Sequence, residues 1–433
     1  MMSFPLSIVI ATGLALSSSV PAPAPHAADR NPISTELGRQ TLAAGDGWAS
    51  ADGGTTGGAN AAPEDVQKVS TRDELAAAVA GNEPKIVYVE QHINANAAPD
   101  GTPIACEDYA VDGYSLDAYL AAFDPAHWTG QASGPLEDAR KASSANQRKQ
   151  IRIDVGANTT IVGLGDVQLT GFTLNIDGVD NVIVRNLRLS DAYDCFPGWN
   201  GDTWKTEWDN LVVSGSTHVW LDHLTLDDGG TADAEQPEYF GEPFLRHDGL
   251  LDVVRQADLV TISWSRMVGH DKSLLWGNGD GATGDRGRLR VTLHHNELID
   301  LDQRAPRVRF GQAHVYNNVY RVTSPDRYQY SWGVGVESSI IARNNTFELA
   351  AGIPPAQVIR NFGGTGIDEE GTWVNGRRVS VLDAYNTASP VESLAPEVSG
   401  IPGPHLPIEP APAAQERVER GAGSGQLDPS ITH

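Results

Sequence analysis

Basic charge is in short supply in this chain. Lysine and arginine number 31 against 56 aspartates and glutamates, a formal net charge of −25 over 433 residues. Such a chain lacks the global basic excess of a DNA- or RNA-binding protein, which excludes nucleic acid as a partner. Long apolar runs are scarce as well. The run from Phe4 to Leu16 is too short and too broken by serine to span a bilayer, and no other stretch qualifies, which excludes a membrane-spanning role. That run reads instead as part of a secretory signal over residues 1–28, cleaved between Ala22 and Ala28. No Lys or Arg precedes Arg30, so the usual basic start is missing. Cysteine is almost absent. In a secreted chain, Cys106 and Cys195 make either one disulfide or two buried thiols.

Glycine is abundant, 45 residues, which leans towards turn-rich β structure. Residues 29–65, rich in Gly, Ala and Asp, are expected to bury little and to form a flexible leader. Ordered text begins near residue 66. Thr71 with Glu74 three residues on predicts an N-capped short helix ended by Gly81 and Pro84. Lys85 to Glu90 reads as a strand, and "GYSLDAYLAAFDP" as a second helix with Leu116, Tyr119 and Leu120 on one face.

From Asp154 a form recurs: a few β-type residues, a polar or amide residue, then an apolar anchor. The anchors are Leu189, Leu226, Met267, Leu298, Tyr320 and Phe347. Their spacing is irregular but never falls below about one short coil of three strands, which suggests a solenoid with insertions on one face. Asparagines just before several anchors favour a parallel β-helix over a β-sandwich or propeller, because like residues then stack from coil to coil. The helix is expected to span residues 66–390, followed by a Pro-rich tail over residues 391–433.

Four stretches carry candidate chemistry. In "LRHDGLLDVV", Asp248 and Asp252 would lie about 13 Å apart on a straight strand. One calcium ion could bridge them only if the chain bends, and Gly249 is placed to allow a bend; a solvated turn is the plain alternative. In "WLDHLTLDDG", Asp222 and His223 end a strand, without the spacing of a zinc site. Lys272 follows His270 and Asp271, where a surface ion pair would be ordinary. Finally, "DQRAPRVRFG" places Arg304, Arg307 and Arg309 around Pro306, and planar guanidinium groups suit bidentate carboxylate recognition.

Together these residues resemble polysaccharide lyase family 1, the secreted pectate lyases. The matching text spans roughly residues 66 to 390 and includes "NVIVRNLRLSDAYDCFPGWN", "VWLDHLTLDDG", "HDGLLDV", "VTISWSRMVGHDKSLLWG", "DQRAPRVRFGQAHVYNNVY" and "YSWGVGVES". The resemblance implies an all-β, right-handed single-stranded parallel β-helix with a short N-terminal capping helix. It implies a calcium (Ca2+) site at Asp209, Asp248 and Asp252, and basic catalytic positions at Lys272, Arg304 and Arg309. It also implies pairing of Cys106 with Cys195. The substrate would be polygalacturonate or pectin, cut by β-elimination outside the cell by a monomer. Arg304 is the implied base. Arginine ordinarily keeps its proton to above pH 12, so this role predicts an alkaline optimum. Arg307 is expected to be a structural ion-pair partner. Asn200 stands where the family often has aspartate, with Asp202 nearby, and an insertion, "GGTADAEQPEYFGEP", precedes Arg246. The competing readings are a calcium-free lyase on methylated pectin, a hydrolase using Asp227 and Asp228, and a non-catalytic polysaccharide-binding β-helix.

Overall fold

The recurrent strands stack as three parallel sheets wound into a right-handed β-helix, in a computed structural model that describes residues 1–2, 37–232 and 235–427. Residues 3–36, where most of the signal and its cleavage were expected, lie outside the described residues. All that follows concerns the unit Ser34–His433. Among the described residues no helix is long and apolar enough to cross a membrane.

Each coil contributes one strand to each sheet in turn. A typical coil runs Leu211–Ser214, then Thr217–Asp222, then Thr225–Asp227. We number the sheets in that order. Sheet 1 has eight strands, from Arg152–Asp154 to Ile359–Phe362. Sheets 2 and 3 have ten each, and only the last pair of sheet 3 is antiparallel.

The anchors explain the stacking. Leu189, Leu226, Met267, Leu298, Tyr320 and Phe347 pair in register along sheet 3, and all are buried. Each fully buried apolar side chain of this size contributes about 1.5–3 kcal/mol, so truncating one opens a cavity that neighbouring coils cannot close. The sharp bend between sheets 2 and 3 uses a positive φ at Asn186, His223, Trp264, His295, Asn317 and Asn344. An amide ladder then crosses the coils. Asn296 Nδ2 donates to Asn318 Oδ1 at 3.0 Å, and Asn318 Nδ2 to Asn345 Oδ1 at 3.1 Å. The ladder satisfies polar groups that a bend inside the core would otherwise strand.

Both ends of the core are covered. Helix Arg72–Ala78 has the expected capping box from Thr71 and Glu74, and Leu75 enters the core. At the far end helix Val381–Ala388 inserts Val381, Leu382 and Tyr385. Cys106 and Cys195 form a disulfide, closing a loop that stabilises by about 4 kcal/mol in the chain-entropy account.

One expectation needs correction. Residues 37–65 are not a leader that buries little: Leu37, Leu42, Trp48 and Ala49 are buried. The segment lies on sheet 2, where Trp48 N donates to Thr292 Oγ1, Ala49 N to Thr261 Oγ1 and Gly58 N to Thr160 Oγ1. The Pro-rich tail packs back on the coils through a helix, Ala411–Gly421, whose Val418 is buried against Val319.

Candidate active site

The face of sheet 1 gathers the candidate residues from consecutive coils. Asp209 and Asn210 lead into strand Leu211–Ser214, and Asp248 and Gly249 precede strand Leu251–Val254, which carries Asp252. Lys272 ends a sheet 3 strand, Arg266–Lys272, one coil before Arg304. Arg304 follows strand Glu297–Gln303 at a φ of 59°, just ahead of the cis Ala305–Pro306 bond, and its carbonyl accepts from Leu274 N at 2.7 Å.

Gly249 matters for a reason other than a bend. A Cβ there would sit 2.7 Å from Asp209 Oδ1 and 2.9 Å from Asp252 Oδ1. Both carboxylate oxygens therefore face the same small space, and Gly249 N also donates to Asp209 Oδ1 at 2.6 Å. Burial, with Asp252 and Asp248 close by, raises the Asp209 carboxyl well above the usual range. Burial, with Asp248 adding repulsion, pushes Asp252 up to about 7. Crowded carboxylates of this kind are short of positive charge.

Asp248 is the exception within the trio. Lys272 Nζ holds its Oδ1 at 2.7 Å. Burial alone would lower the lysine pKa, but Asp248 outweighs it and the pKa is raised. The three aspartates are brought together without closing into a cage: among the described residues, no three His, Cys, Asp or Glu side chains form a ready metal site. The donor set is nevertheless all hard carboxylate oxygen, the chemistry that calcium takes and zinc does not need.

Behind the trio lies a network that the sequence reading did not find. His270 Nδ1 contacts Asp228 Oδ1 at 2.7 Å, and its Nε2 contacts the Asp248 carbonyl at 2.9 Å. His247 Nε2 reaches Asp191 Oδ1 at 3.1 Å. His270 thus ties the Asp248 backbone to the previous coil. The pairing of "LDDG" with "GHDK", about one coil apart, was the available signal. It also removes the carboxylate pair that a hydrolase would need. Asp228 is engaged by His270, and Asp227 by Arg188 and Ser190, each at 2.7 Å.

The three arginines separate. Arg304 has a buried Nε without a hydrogen-bond partner. Arg309 is held by Asp280, with Nε to Oδ1 at 2.5 Å, and by the Gly277 carbonyl at 2.9 Å. Its stem lies between two glycines: a Cβ at Gly277 would meet Arg309 O at 2.6 Å, and one at Gly335 would meet Arg309 Cγ at 2.9 Å. Arg307 does not make the expected ion pair; its guanidinium carbon stands 3.8 Å from the centre of the Phe362 ring. At the departure from the family pattern, Asn200 Oδ1 accepts from Asp202 N and Thr203 N, shaping a tight turn, while Asp202 is exposed. The insertion packs Phe240 against Trp199 and Trp204.

A family model described as pectate lyase matches residues 23–116 and 129–389. A pectate lyase of Bacillus subtilis (strain 168) is 40% identical over 408 residues, covering 91% of this chain and 95% of that protein. Pectate lyase E of Dickeya dadantii (strain 3937) is 34% identical over 357 residues, 79% of this chain and 78% of that one. Among solved structures, a thermostable pectate lyase, PL 47, superposes with a TM-score of 0.88 at 39% identity, over 91% of this chain and all (100%) of that one. A pectate lyase bound to a hexasaccharide gives 0.84 at 37% identity, with 91% and 100% covered.

Proposed function

Because the chain belongs to the pectate lyase family, we propose that it cuts 1,4-linked galacturonan by calcium-dependent β-elimination, releasing 4,5-unsaturated oligogalacturonides outside the cell. One observation carries this reading: Asp209, Asp252 and Asp248 converge beside Lys272, within electrostatic reach of Arg304. The Cys106–Cys195 disulfide suits an oxidising, extracellular setting.

The reaction must remove a proton from C5, next to a carboxylate, and a second negative charge builds there. Asp209, Asp248 and Asp252 would hold calcium, which when bound supplies positive charge beside the substrate carboxylate. Lys272 would leave Asp248 and turn its ammonium to the developing charge. Arg309, oriented by Asp280 and Gly277 through one edge, keeps the rest of its fork for a substrate carboxylate. Arg304 would take the C5 proton; the C5–H electron pair becomes the C4–C5 double bond as the C4–O4 bond breaks, and the departing oxygen takes a proton from water. As an arginine it does so only when deprotonated, so the rate should rise into the alkaline range.

The test compares polygalacturonate with highly methylated pectin, each with and without chelator, following ultraviolet absorbance of the unsaturated product. The reading expects absorbance from polygalacturonate alone, abolished by chelator. Chelator-resistant turnover of methylated pectin would assign the chain to pectin lyase chemistry. New reducing ends without absorbance would indicate hydrolysis.

A further inference from the structure

The face of sheet 1 continues beyond the arginine cluster. Val253 pairs with Trp276, which sets Asp252 beside Leu275; Leu275 pairs with Arg307, Arg307 with Gly333, and Gly333 with Arg360. Asp252, Arg307 and Arg360 therefore lie in one row across neighbouring coils. Phe362, on the same strand as Arg360, packs with both arginines. The Arg307 guanidinium carbon is 3.8 Å from its ring centre and that of Arg360 is 5.3 Å away. Tyr330 backs the cluster, 5.1 Å from Phe362 ring to ring.

Asp280 lies within electrostatic reach of Arg307 but forms no ion pair with it. Other arginines on the sheets are ion-paired, Arg321 with Glu297, Glu348 and Glu419, and Arg343 with Asp368. Among the described residues neither Arg307 nor Arg360 has a carboxylate partner, and Arg307 Nε is buried without a hydrogen bond. In a chain of net charge −25, two guanidinium groups that share one aromatic ring and make no carboxylate ion pair suit recognition of an anion. Burial, with Arg309 and Arg304 close by, pulls Arg307 below the ordinary arginine value, against the opposing pull of Tyr330 and Asp280.

We propose that Arg307 and Arg360, packed on Phe362, form a distal subsite for the carboxylate of a uronic acid residue, with Arg360 about 19 Å along sheet 1 from Asp252, four strand spacings away. The proposal rests on the galacturonan reading above. It makes this chain favour substrates long enough to reach from the aspartates to Arg360.

Arg360 is exposed, so Arg360→Ala leaves the core intact. The measurement is kcat and KM on trigalacturonate and hexagalacturonate, with calorimetric binding of the hexamer to the intact chain. The subsite predicts that the hexamer-to-trimer ratio of kcat/KM falls about tenfold, through KM, with a matching loss of hexamer affinity. Arg360→Lys should recover part of both. An unchanged hexamer KM and affinity would overturn the subsite. Absence of elimination on either oligomer by the wild-type chain would overturn the lyase reading instead, and calorimetry would still decide the subsite.

Discussion

Lys272 Nζ lies 2.7 Å from Asp248 Oδ1, so one of the three candidate calcium ligands already carries a counter-charge. In the proposed mechanism the lysine would release that aspartate before acting on substrate. Replacing Lys272 by Met should lower the rate on polygalacturonate by about 10²–10³-fold, the cost of losing a preorganised charge at the transition state. Calcium affinity, measured by titration calorimetry, should not fall, because a competing cation has been removed. A parallel loss of calcium binding would make Lys272 a support for the metal site only.

The pKa of Asp252 gives a stability test with a definite sign. Its carboxyl is raised to about 7 from 3.8, first by burial and then by Asp248. The folded chain therefore holds that proton more tightly than the unfolded chain. Without calcium, stability should fall as pH rises from about 4 to about 7, and the loss is complete above that. In chelator near pH 8, Asp252→Asn should be more stable than wild type by about 1–2 kcal/mol, after allowing for partial exposure, with no difference near pH 4. Calcium should raise the wild-type Tm and leave the variant less affected. A variant less stable than wild type in chelator near pH 8 would contradict the crowding.

How far the sequence could be read depended on what the residues signal locally. The anchors from Leu189 to Phe347 were visible because burial selects one apolar residue per coil, and they do stack in register. Helix Pro135–Ile151 went unread. Its inward face is polar, with Arg140 bound to Glu137 and Gln147 to the Tyr193 carbonyl, so no apolar stripe announced it. Residues 37–65 looked like a linker because they bind sheet 2 through their own backbone N–H groups, which leaves little mark on side-chain choice. At the site, the family resemblance, not the residues taken singly, pointed to Asp209, Asp248, Asp252, Lys272, Arg304 and Arg309. The partners that hold them, Asp280 and His270 among them, depend on contacts between coils.

Gly335 is expected to tolerate no side chain. A Cβ there would approach Val308 O to 2.3 Å and Arg309 Cγ to 2.9 Å. The first of these is backbone and cannot move aside cheaply. Gly335→Ala should destabilise the chain by about 1–3 kcal/mol and raise KM by displacing Arg309, as read from thermal unfolding and steady-state kinetics. An unaltered Tm and KM would show that the strand shifts freely.

Acid should loosen sheet 2. Burial, with His405, His294 and Arg343 nearby, pulls His314 down to about 3. The folded chain refuses a proton that the unfolded chain accepts below about pH 6.5, so stability is lost as pH falls towards 3. The slope amounts to about 2 kcal/mol between pH 6.5 and 5. His314→Gln should flatten that part of the denaturation profile, and an unchanged slope would place the acid sensitivity elsewhere.

The central claim is that the three aspartates and the basic residues beside them perform a calcium-dependent elimination. The most direct measurement is the initial rate of unsaturated product from polygalacturonate as calcium is returned to chelator-treated protein, for wild type and for Arg304→Ala. The account predicts no product without calcium, recovery on adding it, and loss of that recovery in the variant by at least about 10³-fold. Product formed at an undiminished rate in chelator, or at a wild-type rate by the variant, would contradict it.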